Sequence, residues 1–241
     1  ERLGTHVAHG VNAREIGARR VTAQDVADGV FRFLIGLGKK VIIANQFSEV
    51  ADQFLLNGVD NLSTPGAWIG ILAFTLQIYF DFSGYSDMAI GMGRMIGIHY
   101  VENFNYPYMS GSVGEFWRRW HISLSTWLKE YLYISLGGNR KGTFRTYLNL
   151  IVTMFLGGLW HGVGLTFMAW GLLHGVALAL HKVWLKIVPG AKALGRDMKP
   201  LCRMLGIFFT FNLVAFGWLL FTAKDMQVVG DMLQNIVYNF S

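Results

Sequence analysis

Charge is scarce in this 241-residue chain: Asp, Glu, Lys and Arg make up 15% of it, where a soluble domain carries about 25%. With 53% apolar residues and a mean hydropathy of +0.37, that shortage excludes a disordered chain and an ordinary soluble domain. Lipid is the expected solvent for much of it. A lone cysteine, Cys202, excludes an internal disulfide and a cysteine metal cluster. There is no Gly-rich phosphate loop with its lysine, no HExxH and no GxSxG elbow. The net charge of +6 comes from basic residues scattered over loops without a recognition motif. It therefore points to membrane topology and anionic headgroups and to no nucleic acid. The chain opens at Glu1 with neither an initiator methionine nor a signal-peptide pattern, so it is expected to be the middle of a longer product.

What is abundant is apolar length and glycine, 29 residues of it, which suits closely packed membrane helices. Three runs carry no Asp, Glu, Lys or Arg: 61–80, 146–181 and 204–223. A membrane crossing takes about 20 helical residues. The middle run would reach about 54 Å as one helix, so a turn is expected at Gly162-Val163-Gly164, giving two arms. A fourth segment carries Arg32, Lys39 and Lys40. Membrane segments are therefore expected at about 30–56, 66–98, 146–162, 165–182 and 203–223. The four prolines, Pro65, Pro107, Pro189 and Pro200, all fall at the junctions of this scheme. Basic residues flank the long run on both sides, Arg140, Lys141 and Arg145 before it and Lys182 and Lys186 after it. By the positive-inside rule both flanks are cytoplasmic; whether the arms cross or re-enter stays open.

The stretch GEFWRRWHISLSTWLKEYLYISLGG, 114–138, has another character. Trp117, Trp120, Leu124, Trp127, Leu128 and Tyr131 recur at helical spacing, which predicts an interfacial helix over about 112–136 with tryptophans at headgroup depth. His121 falls on or near its apolar side and needs a polar partner or a cavity. Of seven histidines, His6 and His9 lie in a polar leader, and His99 and His181 at expected segment ends. His161 and His174 fall inside the longest charge-free run, where an ionisable group is costly. An imidazole there is either a structural hydrogen-bonding group or a proton carrier. Asp81 and Asp87 are six residues apart, on different helix faces, and so form no facing acid/base pair. Asp87 and Arg94 are two turns apart, too far for a direct ion pair, and Gly84 is a candidate helix break. A structural role is favoured for this motif. A proton or ion relay through His161, His121, Asp81 and Asp87 is the competing reading, and a non-catalytic membrane scaffold is a third.

Four ordered motifs, FDFSGYSDMAIGMGRMIGI (80–98), NFNYPY (103–108), FWRRWHISLSTWLKEYLYISLGGNRKG (116–142) and FLGGLWHGVGLTFMAWGLLHG (155–175), resemble the membrane-bound O-acyltransferases. The similarity is closer to their bacterial alginate O-acetyltransferase branch than to the D-alanyl transfer proteins, and runs over about 21–221. It implies an all-α, polytopic integral membrane fold with interfacial and re-entrant helices, of which this chain is the central part of a single domain. It also implies that His161 and His121 are the catalytic residues, lying on a tunnel through the membrane. The implied reaction moves an acetyl group from a cytoplasmic thioester, acetyl-CoA, across the membrane for O-acetylation of an exported polysaccharide such as alginate. The implied partners are the lipid bilayer, that polysaccharide and a periplasmic acetyltransferase, at the bacterial inner membrane. No permanently bound cofactor and no metal is expected, and D-alanyl transfer is the nearest alternative. Donor-binding and oxyanion-stabilising residues are not assigned by the sequence.

Overall fold

The computed structural model describes residues 21–55, 62–188 and 200–240. The leader with His6 and His9 and the proline-bearing loop at Pro189 lie outside the described residues. Among the described residues all regular structure is helical. α1 (Ala23–Gly38) leads through a π-helical turn (Lys39–Ala44) into α2 (Asn45–Leu55), and α3 spans Thr64–Met95. A 3-10 turn (Pro107–Met109) precedes two short helices, α4 (Val113–Arg119) and α5 (Ile122–Trp127), and a second π turn (Leu128–Tyr133). The remainder is α6 (Thr143–His161), α7 (Leu165–Ile187), α8 (Pro200–Thr222) and α9 (Met226–Tyr238).

Of the five expected membrane segments, α3, α7 and α8 are helices long and apolar enough to cross a bilayer. The other two are helical as well. In α6 the polar residues Arg145, Thr146, Asn149 and Thr153 dilute the apolar run. The turn falls at 162–164, where the glycines place it.

The chain divides into two compact units. The first takes the described part of Glu1–Glu49 together with Leu76–Asn103. Thr22 and Asp25 start α1 with a reciprocal capping box, each side chain accepting from the other's backbone N–H at 3.1 Å. α1 then runs antiparallel to the second half of α3. A Cβ on Gly29 would lie 2.7 Å from the Gly91 carbonyl oxygen, and one on Gly36 would lie 2.5 Å from that of Gly84. The backbones touch at two levels seven residues apart. Between and beside these contacts the charges pair off. Asp87, nearly buried, accepts from Arg32 and from Lys39 at 2.6 Å. Arg32 also reaches Glu102 at 2.6 Å, Lys40 pairs with Asp81, and Arg94 reaches Asp28 at 2.5 Å. Gly84 therefore does not break the helix, contrary to the sequence expectation. α3 is continuous through it, and the missing side chain serves close approach instead. Asp87 and Arg94 each find partners on α1 and not each other.

The second unit takes Val50–Thr75 and the described part of Phe104–Ser241. Its centre is the α6–α7 hairpin, against which α4 and α8 pack. Gly171 lets the two arms close, since a Cβ there would stand 2.5 Å from the Met154 carbonyl oxygen. The core between these helices is aromatic: Phe116, Trp117, Trp120, Trp170 and Trp218 are all buried.

Candidate active site

His161 is the last residue of α6. Aromatic rings surround its imidazole: Trp160, Phe221 and Trp170 pack edge-on at centroid distances of 4.8, 5.0 and 5.3 Å, and Phe167 stacks at 6.4 Å. The ring is half-buried. Such a wall fixes its orientation without consuming its nitrogens.

His121 comes within electrostatic reach of His161 by a route that helical periodicity does not foresee. The expected single interfacial helix is broken. α4 stops at Arg119, Trp120 is extended, and His121 adopts a left-handed conformation at φ 43 before α5 begins. A non-glycine residue held there costs of order 1–3 kcal/mol unless its surroundings impose it. They do so from several directions. The Asn105 N–H donates to the Arg119 carbonyl at 2.9 Å, and the Arg119 guanidinium donates back to the Asn105 carbonyl at 3.2 Å. Ser125 donates from its N–H to the His121 carbonyl at 2.9 Å and from its hydroxyl to the Trp120 carbonyl at 3.1 Å. Tyr108 braces the elbow from the NFNYPY motif, donating to the Thr75 carbonyl at 2.6 Å and accepting from the Trp218 indole at 3.1 Å.

The elbow corrects a second expectation. Trp117 and Trp120 turn into the core and not toward headgroups, because the break rotates their faces away from that of the exposed Trp127. The His121 ring lies with Nδ1 3.3 Å from the Ser123 hydroxyl. Burial, reinforced by the neighbouring His161, holds its pKa down to about 4. His121 is thus a neutral imidazole at physiological pH, able to donate from one nitrogen and accept at the other.

His174 is not brought to this pair. It is fully buried in α7, and its Nδ1 accepts the Trp117 indole N–H at 3.4 Å. His181 lies in the last third of α7, which runs on to Ile187. Among the described residues no group of three His, Cys, Asp or Glu side chains is placed to hold a metal.

Beside the elbow is a cavity of about 650 Å³. Arg118, Lys129 and Lys182 line it with no carboxylate among the lining residues, and Ile122, Leu128, Leu150, Met154 and Leu178 give it an apolar wall. Lys182 Nζ donates to Asn139 Oδ1 at 2.8 Å, and Tyr133 donates to the same oxygen. Sequence reasoning did not find this cavity, since its cations come from three separate elements. Its one local signal was Asn139, following Gly137-Gly138.

The comparisons with known proteins span the stretch of chain that holds these residues. Residues 20–224 match the model of the MBOAT, membrane-bound O-acyltransferase, family. The chain is 50% identical over 216 residues to the probable alginate O-acetylase AlgI of Pseudomonas aeruginosa, covering 90% of this chain and 39% of that protein. It is 44% identical over 214 residues to the peptidoglycan O-acetyltransferase of Helicobacter pylori, covering 89% and 39%. Against the teichoic acid D-alanyltransferase of Streptococcus thermophilus the identity is 30% over 214 residues, covering 78% and 50%. The chain thus spans about two fifths of the length of the relatives it matches best among these.

Proposed function

The chain belongs to the membrane-bound O-acyltransferase family, and from that premise we propose that the protein transfers an acetyl group from a thioester donor, acetyl-CoA, to hydroxyl groups of an exported polysaccharide. The observation that supports the reading is that His161, at the end of α6, lies within electrostatic reach of His121, on the strained elbow between α4 and α5. A hydroxyl becomes an adequate nucleophile when a base takes its proton in the transition state, and an imidazole is matched to that task near neutral pH. In this reading His161 is the base. The acceptor oxygen bonds to the thioester carbonyl carbon as its proton passes to the imidazole. The carbon–sulfur bond then breaks, and the leaving thiolate takes the proton back from the imidazolium. His121 orients acceptor or thioester by hydrogen bonding.

The cavity supports the donor side of the proposal. Its three cations suit the phosphates of coenzyme A, and its apolar wall suits the arm that carries the thioester. The donor enters from the cytoplasm in this reading, and the acceptor polymer, with a periplasmic acetyltransferase partner, lies beyond the opposite face of the bacterial inner membrane. Relatives named for O-acetylation match at higher identity than those named for D-alanyl transfer, which favours acetyl. The competing ion-relay reading loses its carboxylates, because Asp81 and Asp87 are engaged by Lys40, Arg32 and Lys39.

The test is radiolabelled acetyl transfer from acetyl-CoA by the full-length protein in proteoliposomes containing its polysaccharide acceptor. His161→Ala is expected to lower transfer by roughly 10²–10⁴-fold with membrane insertion unchanged. Transfer at the unsubstituted rate, or proton flux without any transfer, overturns the proposal.

A further inference from the structure

Among the described residues the non-glycine positions held at positive φ are Tyr106, at 45°, and His121, at 43°. Both lie just past a reciprocal clasp, Tyr106 directly after Asn105 and His121 two residues after Arg119. In that clasp the Asn105 N–H donates to the Arg119 carbonyl at 2.9 Å and Arg119 Nη1 donates to the Asn105 carbonyl at 3.2 Å. The contacts continue along α4. Arg119 Nη2 reaches Glu115 Oε1 at 2.8 Å, and Glu115 Oε2 accepts the Gly111 N–H at 2.9 Å. Glu115 and Arg119 are one helical turn apart, so between them they bridge the two ends of the loop 105–111. Gly111 is also pressed against α8, since a Cβ on Gly206 would meet its carbonyl oxygen at 2.6 Å. The loop is thus a strap fastened at both ends to the helix that leads into the elbow. A part-exposed ion pair at this spacing stabilises a helix little by itself, and α4 is only 7 residues long. Here each partner also engages loop backbone. The effect of the pair therefore falls on the strap and on the Arg119 peptide, the last of α4 before Trp120 becomes extended. The neighbouring Arg118 faces elsewhere, into the cavity.

Resting on the acyl-transfer reading above, we propose that Arg119 and Glu115 are positioning residues for His121, fastening the 105–111 strap to α4 so that the elbow presents the imidazole in one orientation. Without the Arg119 side chain the Asn105 carbonyl loses this donor and Glu115 loses its counter-charge. The left-handed backbone at His121 then loses support on its upstream side and relaxes toward an ordinary conformation. On its downstream side the Ser125 N–H still holds the His121 carbonyl, so the elbow loosens without coming apart.

The experiment measures kcat and KM for acetyl-CoA with the full-length protein in proteoliposomes containing its polysaccharide acceptor. Arg119→Met should lower kcat by roughly 10²-fold, the cost of misplacing a reacting group by about 1 Å, with KM for acetyl-CoA unchanged. Glu115→Ala, which frees Gly111 but leaves Arg119 able to reach Asn105, should lower it less. The decisive comparison repeats Arg119→Met in a His121→Ala background. A residue that acts through His121 has nothing left to position there, so kcat should fall no further. A merely structural contribution would lower it by the same factor again. The exchanged pair Glu115→Arg/Arg119→Glu restores an ion pair on α4 but sets a carboxylate against the Asn105 carbonyl and a guanidinium against the Gly111 N–H. It should therefore not recover the activity. Thermal unfolding of each variant separates loss of fold from loss of placement. Arg119→Gln, which keeps an N–H donor for the Asn105 carbonyl and should show a smaller loss of the same kind, serves where Arg119→Met does not fold. Full kcat in Arg119→Met, an undiminished loss in the His121→Ala background, or recovery by the exchanged pair overturns this inference alone. Absence of transfer by the unsubstituted protein overturns the acyl-transfer reading and this inference with it.

Discussion

Replacing Gly36 by alanine puts a methyl carbon 2.5 Å from the Gly84 carbonyl oxygen, 2.8 Å from the Met88 nitrogen and 2.9 Å from the Asp87 Cβ. The two nearest atoms belong to backbone and cannot swing aside, so α1 and α3 must part. Ordinary contact begins at 3.4 Å, which makes the required relief about 0.9 Å along the clash. Overfilling a packed contact of this kind costs about 1–3 kcal/mol. The same movement pulls on the Arg32–Asp87 and Lys39–Asp87 pairs, both at 2.6 Å. At ~2–4 °C per kcal/mol for a chain of this size, Tm should fall by roughly 2–12 °C. The assay is thermal unfolding of the full-length protein in a single detergent, followed by intrinsic tryptophan fluorescence. The contact is reciprocal, since a Cβ on Gly84 would meet the Gly36 carbonyl oxygen at 2.7 Å. Once the helices have parted for one methyl group the second is partly accommodated, so the Gly36→Ala/Gly84→Ala double variant should cost less than the sum of the singles. Gly38→Ala is the control: nothing lies within 4 Å of its Cβ position, and alanine is the better helix former by ~1 kcal/mol. An unchanged Tm for Gly36→Ala, or an equal loss for Gly38→Ala, refutes the reasoning.

Asp87→Asn leaves Arg32 and Lys39 sharing a neutral amide in a site where the carboxylate is only 8% exposed. It should destabilise by about 1.5–3 kcal/mol, the worth of hydrogen bonds to a charged group, whereas Asp81→Asn at the more open Lys40 pair should cost no more than about 1 kcal/mol; equal melting temperatures for the two variants would contradict the assigned burial. His121 has a pKa lowered from 6.5 to about 4 in the fold. As pH falls through that window the unfolded chain binds the proton before the folded one does, so stability is lost on acidification and is fully present above the upper value. Melting temperature should therefore decline less steeply from pH 7 to pH 5 in His121→Gln than in the unsubstituted protein, and parallel declines would show that His121 does not carry the effect.

Much of this molecule can be read along one dimension. The charge-free runs locate α3, α7 and α8, because an apolar stretch of that length has few other places to go. Gly162 to Gly164 divides the long run, because 36 residues overshoot a bilayer. His161 stands out in sequence for the same reason, being an ionisable group in an apolar arm. The motifs around it bring the family into view, and the family model covers them. The absence of a facing pair between Asp81 and Asp87, and of an ion pair between Asp87 and Arg94, also follows from helix geometry alone.

Partners across space do not follow from it. Periodicity tells which face a residue occupies on its own helix, not which helix abuts that face. Gly84 therefore reads as a break until Gly36 is seen against it, and Asp87 has no charge to pair with on its own helix until Arg32 arrives from α1 and Lys39 from the π turn that follows it. The same limit hides the elbow at His121, because the end of α4 is held by Asn105 and the start of α5 by Ser125, and not by any breaker in their own sequence. Apolar character, segment length and the cost of charge in lipid were determined by the sequence itself. Which indoles face inward, and which histidine is fully buried against a tryptophan, were decided by tertiary packing, since those properties belong to pairs of residues.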